Sequence, residues 1–214
     1  MNVFTQFVLT VGRISPDGVQ MLGSGFLLSS DGKIGTTSHI INNNDSRLVV
    51  LLPHINNINN YQDISNNTCK KIDVEVLEID PLRDLCILKA KKQVYASMFQ
   101  LGSFDEVNVG DKLHVFGFPH CVDGRRVFTF QESELGAKIL LESSGIKSKS
   151  GIINMQARPG QSGSMVYHPK TQKISGILIG AYAPSGGISL GGIDPRELHQ
   201  TTHCVSAEYF KDML

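Results

Sequence analysis

Short apolar runs separated by Gly, Asn, Asp and Pro recur along almost the whole chain. Residues 71–79, KIDVEVLEI, alternate apolar and polar side chains, which is the pattern of a half-buried β-strand. The Asn-rich segment 54–68, HINNINNYQDISNNT, predicts a long exposed loop. Only the end of the chain, VSAEYFKDML, is typical of a helix. Many short strands with few helices indicate a β-barrel or a β-sandwich.

Charge and hydropathy exclude several classes of function. The 214 residues contain 20 basic and 20 acidic side chains, which gives no electrostatic basis for binding nucleic acid or an anionic membrane. No apolar run approaches the roughly 20 residues of a membrane span, and the start, MNVFTQFVLTVG, lacks the basic region of a signal peptide. The four cysteines form no CxxC motif. We therefore expect reduced thiols and a cytoplasmic protein.

Ser162 stands between glycines in the sequence GQSGS. Taken alone, this cluster is typical of a surface turn, because Gly and Ser both favour turns. The alternative hypothesis is that Ser162 is a nucleophile. A serine hydroxyl is a poor nucleophile, so it would need a histidine base and a carboxylate that orients the histidine.

His39 and Asp84 have the sequence contexts that fit these two partners. Among seven histidines, His39 ends a strand of small residues in TTSHI. Asp84 begins the apolar run DLCILKA, where a buried carboxylate must be paired and an imidazole N–H could pair with it. Asp80, which precedes a proline, is typical of a turn and is the alternative carboxylate.

The segments around these residues resemble a known family. GSGFLLSSDGKIGTTSHII, DPLRDLCILK and RPGQSGSMVY are similar, in this order, to the histidine, aspartate and serine segments of chymotrypsin-fold (trypsin-like) serine proteases, especially the HtrA/DegP type and the glutamyl endopeptidases. The resemblance implies an all-β fold of two six-stranded antiparallel β-barrels with a short C-terminal helix. A composition break in GSFDEVNVGD places the lobes at 1–104 and 105–214, together forming one peptidase domain.

The resemblance also implies the role of each residue. Ser162 would be the nucleophile, His39 the general base and later acid, and Asp84 the orienting carboxylate. The backbone N–H groups of Gly160 and Ser162 would form the oxyanion hole. Such an enzyme is a serine endopeptidase that hydrolyses peptide bonds of protein or peptide substrates and needs no metal or cofactor.

Gln161 departs from the pattern of the zymogen-activated trypsins. Those enzymes have an aspartate before the serine, and it pairs with a newly cleaved N-terminus. Because this chain has Gln161 and begins Met-Asn-Val, we do not expect activation by N-terminal cleavage. Another means must order the oxyanion loop, such as an activating protein partner or a substrate. Two alternatives to a peptidase therefore stay open, a latent binding or regulatory module and an esterase that uses the same three residues.

The resemblance places the substrate pocket beside three segments of the second lobe. Leu178 stands where glutamyl endopeptidases have a histidine, and neutral Gln156 stands near the acidic pocket floor of trypsin, so neither acidic nor basic P1 residues are expected. Small or medium apolar P1 residues are predicted, and a His203 that points into the pocket would favour polar ones. The loop GGISLGG, 186–192, is expected near the entrance. The predicted pocket residues are Gln156, Arg158, Ile179, Gly180, Ala181 and His203.

A zinc site is a further possibility in HVFGFPHC, which contains His114, His120 and Cys121. Imidazole and thiolate are both zinc ligands. The spacing matches no standard zinc motif and a fourth ligand is not evident, so we do not expect a metal there.

Overall fold

The computed structural model consists almost entirely of short β-strands joined by turns and loops. The residues that the structure describes are 2–42, 44–66, 68–91, 99–182 and 201–214. The loop 186–192, which was predicted near the pocket entrance, lies outside the described residues.

The first six strands close into a barrel. They are β1 (Val8–Ser15), β2 (Gly18–Leu27), β3 (Lys33–Thr37), β4 (Leu48–Leu51), β5 (Lys71–Asp80) and β6 (Leu85–Ala90). Their order around the barrel is β1-β2-β3-β6-β5-β4, with β4 pairing back to β1, and every pair is antiparallel. Short turns such as Pro16-Asp17-Gly18, between β1 and β2, favour antiparallel neighbours because the turn residues reverse the chain tightly.

The remaining strands form a second closed barrel. They are β7 (Gln100–Leu101), β8 (Lys112–Gly117), β9 (Thr129–Ser143), β10 (Ile146–Ile153), β11 (Met165–His168), β12 (Lys173–Tyr182) and β13 (Thr201–Ser206). Six of them follow the order β11-β8-β9-β10-β13-β12, and the pairing of β11 with β12 closes the ring. The short β7 adds to β12 in parallel. The predicted pair of six-stranded antiparallel barrels is confirmed, with β7 as an addition.

Helices are few and short among the residues that the structure describes. The α-helices in the described ranges are α1 (Ser38–Ile41) and α2 (Phe210–Met213). The predicted C-terminal helix is confirmed but starts later than the pattern suggested, because residues 205–206 still belong to β13. The 3-10 segments are Asn2–Gln6, Phe104–Glu106, Cys121–Asp123 and Ala207–Tyr209.

The alternating segment 71–79 forms most of β5, as predicted, and Val74 is buried. A bulge between Val76 and Glu78 then interrupts the ladder with β6. Leu77 and Ile79 are 49% and 40% exposed. Because a bulge adds a residue that the partner strand does not match, alternation stops predicting burial at that point.

The Asn-rich segment is a loop, as predicted, but it is attached to the second barrel. The amide of Gln62 exchanges two hydrogen bonds of 2.8 Å with the backbone of Phe128. Tyr61 and Ile64 on either side of Gln62 are exposed. The loop is therefore held at Gln62, and also at Thr68, whose oxygen accepts from the Arg126 guanidinium at 3.1 Å, while Tyr61 and Ile64 face solvent.

One hydrophobic cluster extends across both barrels because each end of the described chain packs on the opposite barrel, and a second cluster lies within the second barrel. Phe4 precedes β1 and stacks on Phe116 of β8, with ring centroids 4.1 Å apart. Phe210 of α2 meets Phe26 of β2 edge to face, at 6.0 Å. Large aromatic rings dominate core energetics, so these contacts fix how the barrels face each other across the cleft. The predicted lobe boundary near residue 104 stays a prediction.

Replacing Phe210 by alanine should lower the free energy of unfolding by about 3–5 kcal/mol, because the substitution leaves a cavity between α2 and the first barrel. Urea unfolding followed by circular dichroism measures this, since the chain contains no tryptophan. Leu140, which is 63% exposed, provides the control, and Leu140→Ala should change stability by less than about 0.5 kcal/mol. Equal losses in the two variants would contradict the proposed packing role of Phe210.

Candidate active site

His39 lies on a single helical turn that follows a buried strand. The strand β3 ends at Thr37, whose backbone is extended, and α1 ends at Ile41, followed by the C-cap Asn42 in the left-handed conformation. Ile40 and Ile41 are buried and hold this turn against the core. The imidazole of His39 is left half-exposed in the cleft between the barrels.

Asp84 precedes β6 and accepts hydrogen bonds on both carboxylate oxygens. Its Oδ2 lies 2.5 Å from Nδ1 of His39, and its Oδ1 accepts from the Ser38 hydroxyl at 2.7 Å and from the His39 N–H at 2.8 Å. Burial by itself raises the pKa of the Asp84 carboxyl, but the bonds from His39 and Ser38 outweigh burial and the pKa is lowered. The carboxylate is therefore ionised at neutral pH and holds the imidazole in place.

Asp80 is engaged elsewhere. Its carboxylate accepts from the backbone N–H groups of Leu82 and Arg83, and it forms an ion pair with the Arg83 guanidinium at 2.5 Å. These contacts are those of a turn residue. The structure thus places Asp84, and not Asp80, beside His39.

Ser162 completes a chain of hydrogen bonds with these two residues. Its Oγ lies 3.0 Å from Nε2 of His39 and also 3.0 Å from the backbone oxygen of Ile179. The next residue, Gly163, has a φ of +86°, and a Cβ there would lie 1.9 Å from the backbone oxygen of Ser24. Only glycine fits this position, so the turn that presents Ser162 depends on it.

Gly160 belongs to a tight turn just before Ser162. The N–H of Gln161 donates to the oxygen of Arg158 at 3.0 Å, and Gly160 has a φ of +89° after Pro159, which are the features of a type II β-turn. The carbonyl of Pro159 accepts from the N–H of His120 at 2.6 Å. Because N–H and C=O point in opposite directions across a trans peptide, the Gly160 N–H points away from His120.

Ser24 connects the first barrel to this turn, and sequence reasoning missed it. Its hydroxyl donates to the Gly160 oxygen at 2.9 Å and accepts from the Phe118 N–H at 3.0 Å. Its backbone N–H donates to the Ser162 oxygen at 2.8 Å. Ser24 is fully buried and contacts the backbone on both sides of Gln161. The small residues of the GSG sequence were the available signal, because they allow close approach of another chain segment.

The predicted pocket residues fall into two groups. Ile179, Gly180 and His203 line a cavity of about 350 Å³ beside Asp84. Burial lowers the pKa of the His203 imidazole, so it is neutral in this cavity at neutral pH. The further residues that line the cavity are Leu82, Arg83, Leu141, Glu142, Ser143, Ser148, Ser150 and Val205.

Of the other predicted pocket residues, Gln156 and Arg158 lie outside this lining. Gln156 is half-buried and Arg158 is exposed at the start of the type II turn, and Ala181 pairs with Thr202 between β12 and β13. Thr202 is a second residue that sequence reasoning missed. Its hydroxyl donates to the Met155 oxygen at 2.6 Å and accepts from the Ala157 N–H at 2.9 Å, so it ties β13 to the segment that leads into the turn.

The three residues of the zinc hypothesis have other contacts. His114 faces Glu132 at 3.4 Å, His120 faces Asp123 at 3.4 Å, and the Cys121 thiol lies 3.8 Å from the Gly160 oxygen. Over the described ranges, no group of three His, Cys, Asp or Glu side chains is placed to hold a metal ion.

Comparison with known proteins identifies the family. Residues 23–177, which include His39, Asp84 and Ser162, match the family described as a trypsin-like peptidase domain. The chain belongs to this family.

Relatives and solved structures of trypsin-like peptidases agree with this assignment. A probable periplasmic DegP-like serine endoprotease of Bartonella henselae is 26% identical over 165 residues, which cover 77% of this chain and 29% of that protein. The magnetosome formation protease MamE of Magnetospirillum gryphiswaldense is 22% identical over 84% of this chain and 23% of its own length. The chain thus spans less than a third of the curated relatives it matches.

Two solved structures share the fold of this trypsin-like peptidase domain. The MamO protease domain from Magnetospirillum magneticum, in its apo form, has a TM-score of 0.72 at 15% identity and covers 99% of this chain and 97% of that one. The HtrA-type protease AlgW, with a decapeptide, has a TM-score of 0.69 at 17% identity and covers 98% and 63%. The predicted resemblance to the HtrA/DegP type is confirmed.

No helix within the described segments is long and apolar enough to cross a membrane.

Replacing Ser24 by alanine should lower the free energy of unfolding by about 1–3 kcal/mol, because the Phe118 N–H and the Gly160 oxygen lose a buried partner. Urea unfolding followed by circular dichroism measures the loss. The control is Ser65→Ala, since the Ser65 hydroxyl is exposed and bonds to nearby Asp63, and its expected effect is below about 0.5 kcal/mol. A Ser24→Ala protein as stable as this control would contradict the bridging role.

Proposed function

We propose that the protein is a serine endopeptidase that cleaves peptide bonds through an acyl-enzyme on Ser162. The observation that carries the proposal is the continuous hydrogen-bonded chain from Asp84 through His39 to the Ser162 hydroxyl, with distances of 2.5 Å and 3.0 Å. A nucleophile, a base and an orienting carboxylate within hydrogen-bond reach are the requirements for activating a serine.

The position of Asp84 sets the direction of proton transfer. With the Asp84 carboxylate accepting from Nδ1, the Nε2 of His39 has a lone pair that faces Ser162. When Ser162 Oγ attacks the peptide carbon, its proton moves to Nε2, and the protonated imidazole then passes it to the leaving amine. Water enters next, gives a proton to His39 and releases the acyl group from Ser162.

Gly160 and Ser162 would supply the N–H donors for the oxyanion. The orientation of the type II turn supports this assignment, because the His120 contact with Pro159 directs the Gly160 N–H away from His120. Donors that are already oriented stabilise the negative charge of the tetrahedral intermediate without further rearrangement, and loss of one such donor lowers kcat by about 100- to 1000-fold.

The cavity beside Asp84 supports apolar substrate side chains. Most of the lining surface is apolar and comes from Leu82, Leu141, Ile179 and Val205. Polar groups come from the neutral His203 and from the charged and serine side chains that also line the cavity, which are Arg83, Asp84, Glu142, Ser143, Ser148 and Ser150. We therefore propose that the enzyme accepts small or medium apolar residues near the scissile bond. Leu178, predicted to oppose an acidic preference, is buried in the core of the second barrel.

The four cysteines support a reducing, intracellular location. All four are free, with Cys69 exposed and Cys86, Cys121 and Cys204 buried. Burial raises the pKa of the thiols of Cys86 and Cys121 to about 12, so both are protonated and unreactive. An exposed free thiol persists most easily where thiols are kept reduced. Fractionation of the source cells tests this location, and recovery of the protein outside the cytoplasm would contradict it.

Labelling with a fluorophosphonate probe tests the nucleophile. The wild type should be labelled on Ser162, as located by mass spectrometry, and Ser162→Ala and His39→Ala should abolish the label.

Asp84→Asn should lower peptide hydrolysis by about 10,000-fold, because the amide favours the wrong imidazole tautomer. The matched control is Ser164→Ala, since Ser164 is buried and its hydroxyl has no partner among the described residues.

The outcomes separate the three candidate functions. Labelling of Ser162 together with cleavage of a peptide library supports the endopeptidase. Labelling with hydrolysis of activated esters, but not of peptides, would instead assign an esterase. A well-folded wild type that resists the probe would reject both enzymes in favour of a binding or regulatory module.

Gly180→Val should interfere with substrate binding and leave the fold intact. A Cβ at Gly180 would meet no heavy atom of the described residues within 4 Å, so among these residues the added side chain lies in open space beside the cavity. We expect KM for peptide substrates to rise about tenfold, which corresponds to roughly 1.4 kcal/mol of lost binding. Labelling by a small fluorophosphonate should change less than twofold, and an unaltered KM would remove Gly180 from the substrate site.

A further inference from the structure

Gln161, the residue where the sequence departs from the zymogen-activated trypsins, closes the turn before Ser162. Its backbone N–H donates to the Arg158 oxygen at 3.0 Å, and its side-chain Oε1 accepts from the Arg158 N–H at 2.7 Å. Gln161 thus forms two bonds with one residue and is fully buried. Ordering a long polar side chain has a high entropy cost, and a buried amide must be hydrogen-bonded. A buried glutamine therefore fits this position only if its amide has defined partners.

The other end of the Gln161 amide is attached to the second barrel. Its Nε2 donates to Oε1 of Gln131 at 2.5 Å. The direction of the amide is determined, since a backbone N–H must face an oxygen and the nitrogen must then face Gln131. Gln131 lies in β9, where it pairs with Val115 of β8. The side chains of Gln161 and Gln131 therefore attach the turn to β9, which is itself paired with β8.

The turn is also held on its opposite side. His120 donates to the Pro159 oxygen, and Ser24 donates to the Gly160 oxygen. Rotation of the Pro159–Gly160 peptide would break the His120 bond, so this bond sets the direction of the Gly160 N–H. The Gln161 and Ser24 contacts hold the turn itself in place.

We propose that Gln161, anchored by Gln131, is the positioning residue that keeps the oxyanion loop assembled in this chain. The inference rests on the proposed peptidase function. It gives an internal alternative to a protein partner or a substrate as the means of ordering the loop, because every contact involved lies between described residues of the chain itself.

The kinetic test compares Gln131→Met, Gln161→Met and the double variant with the wild type. Methionine keeps the length of the side chain and removes the amide. We expect each single variant to lower kcat by about 10- to 100-fold with KM within twofold, because a misplaced donor weakens the transition state more than the bound substrate. Affinity for a peptide aldehyde, which forms a tetrahedral adduct, should fall in parallel with kcat.

The double variant and a control distinguish positioning from general stability. If the two glutamines act as a unit, the double variant should be no worse than Gln161→Met alone. The control is Gln20→Met on β2, because Gln20 is exposed and takes no part in these hydrogen bonds, and it should match the wild type. Losses of kcat that add up in the double variant would overturn the proposal. So would losses of kcat that only follow the loss of thermal stability across all the variants.

Amide hydrogen exchange provides a readout that does not depend on activity. In Gln131→Met, the Arg158 and Gln161 amides should exchange at least about tenfold faster, as expected when a local hydrogen bond is loosened. Gln20→Met should leave them unchanged. A wild type that is not labelled by the fluorophosphonate probe and does not cleave peptides would contradict the proposed function. The exchange rates would still decide the role of Gln161. Unchanged exchange in Gln131→Met would reject that role even in an active enzyme.

Discussion

The close contact between Ser24 and the Ser162–Gly163 backbone is the constraint on which the site depends. The Ser24 N–H and hydroxyl bind the Ser162 and Gly160 oxygens, while the Ser24 oxygen accepts from the Thr36 hydroxyl at 2.8 Å. This arrangement leaves no space for a side chain at Gly163. Ser162 on one barrel and His39 on the other keep their distance because buried contacts of Ser24 with the backbone, and not the side chains of the site, set the spacing.

Local sequence carried much of the information about the fold. Gly, Asn, Asp and Pro mark the strand ends, and the contexts of His39, Asp84 and Ser162 pointed to the right partners once the three segments were considered together. The bulge at Leu77 was not predictable from alternation, since it depends on the register with β6. The choice between Asp84 and Asp80 became clear only when Arg83 was seen to pair with Asp80.

The supporting residues of the site could not be predicted for a different reason. Ser24 bonds to a residue 136 positions away and Gln131 to one 30 positions away. Gln131 belongs to no motif that we recognised, and Ser24 is only one of several small residues in its segment, while Gln and Ser are common on protein surfaces. Their importance follows from burial and from the hydrogen bonds they complete, which exist only after both barrels have formed. Thr202, which ties β13 to Ala157, is a third example.

Each end of the chain packs on the opposite barrel, which has a consequence for dividing the protein into two fragments. The first barrel receives the Phe210 ring from the far end of the chain, and the second receives the Phe4 ring from the near end. Neither half contains all the side chains of its own core. Two fragments cut between β6 and β7 should consequently remain associated, and each should depend on the other to fold. The protein is thus suited to reconstitution from two separately expressed pieces, with the site formed only where they meet.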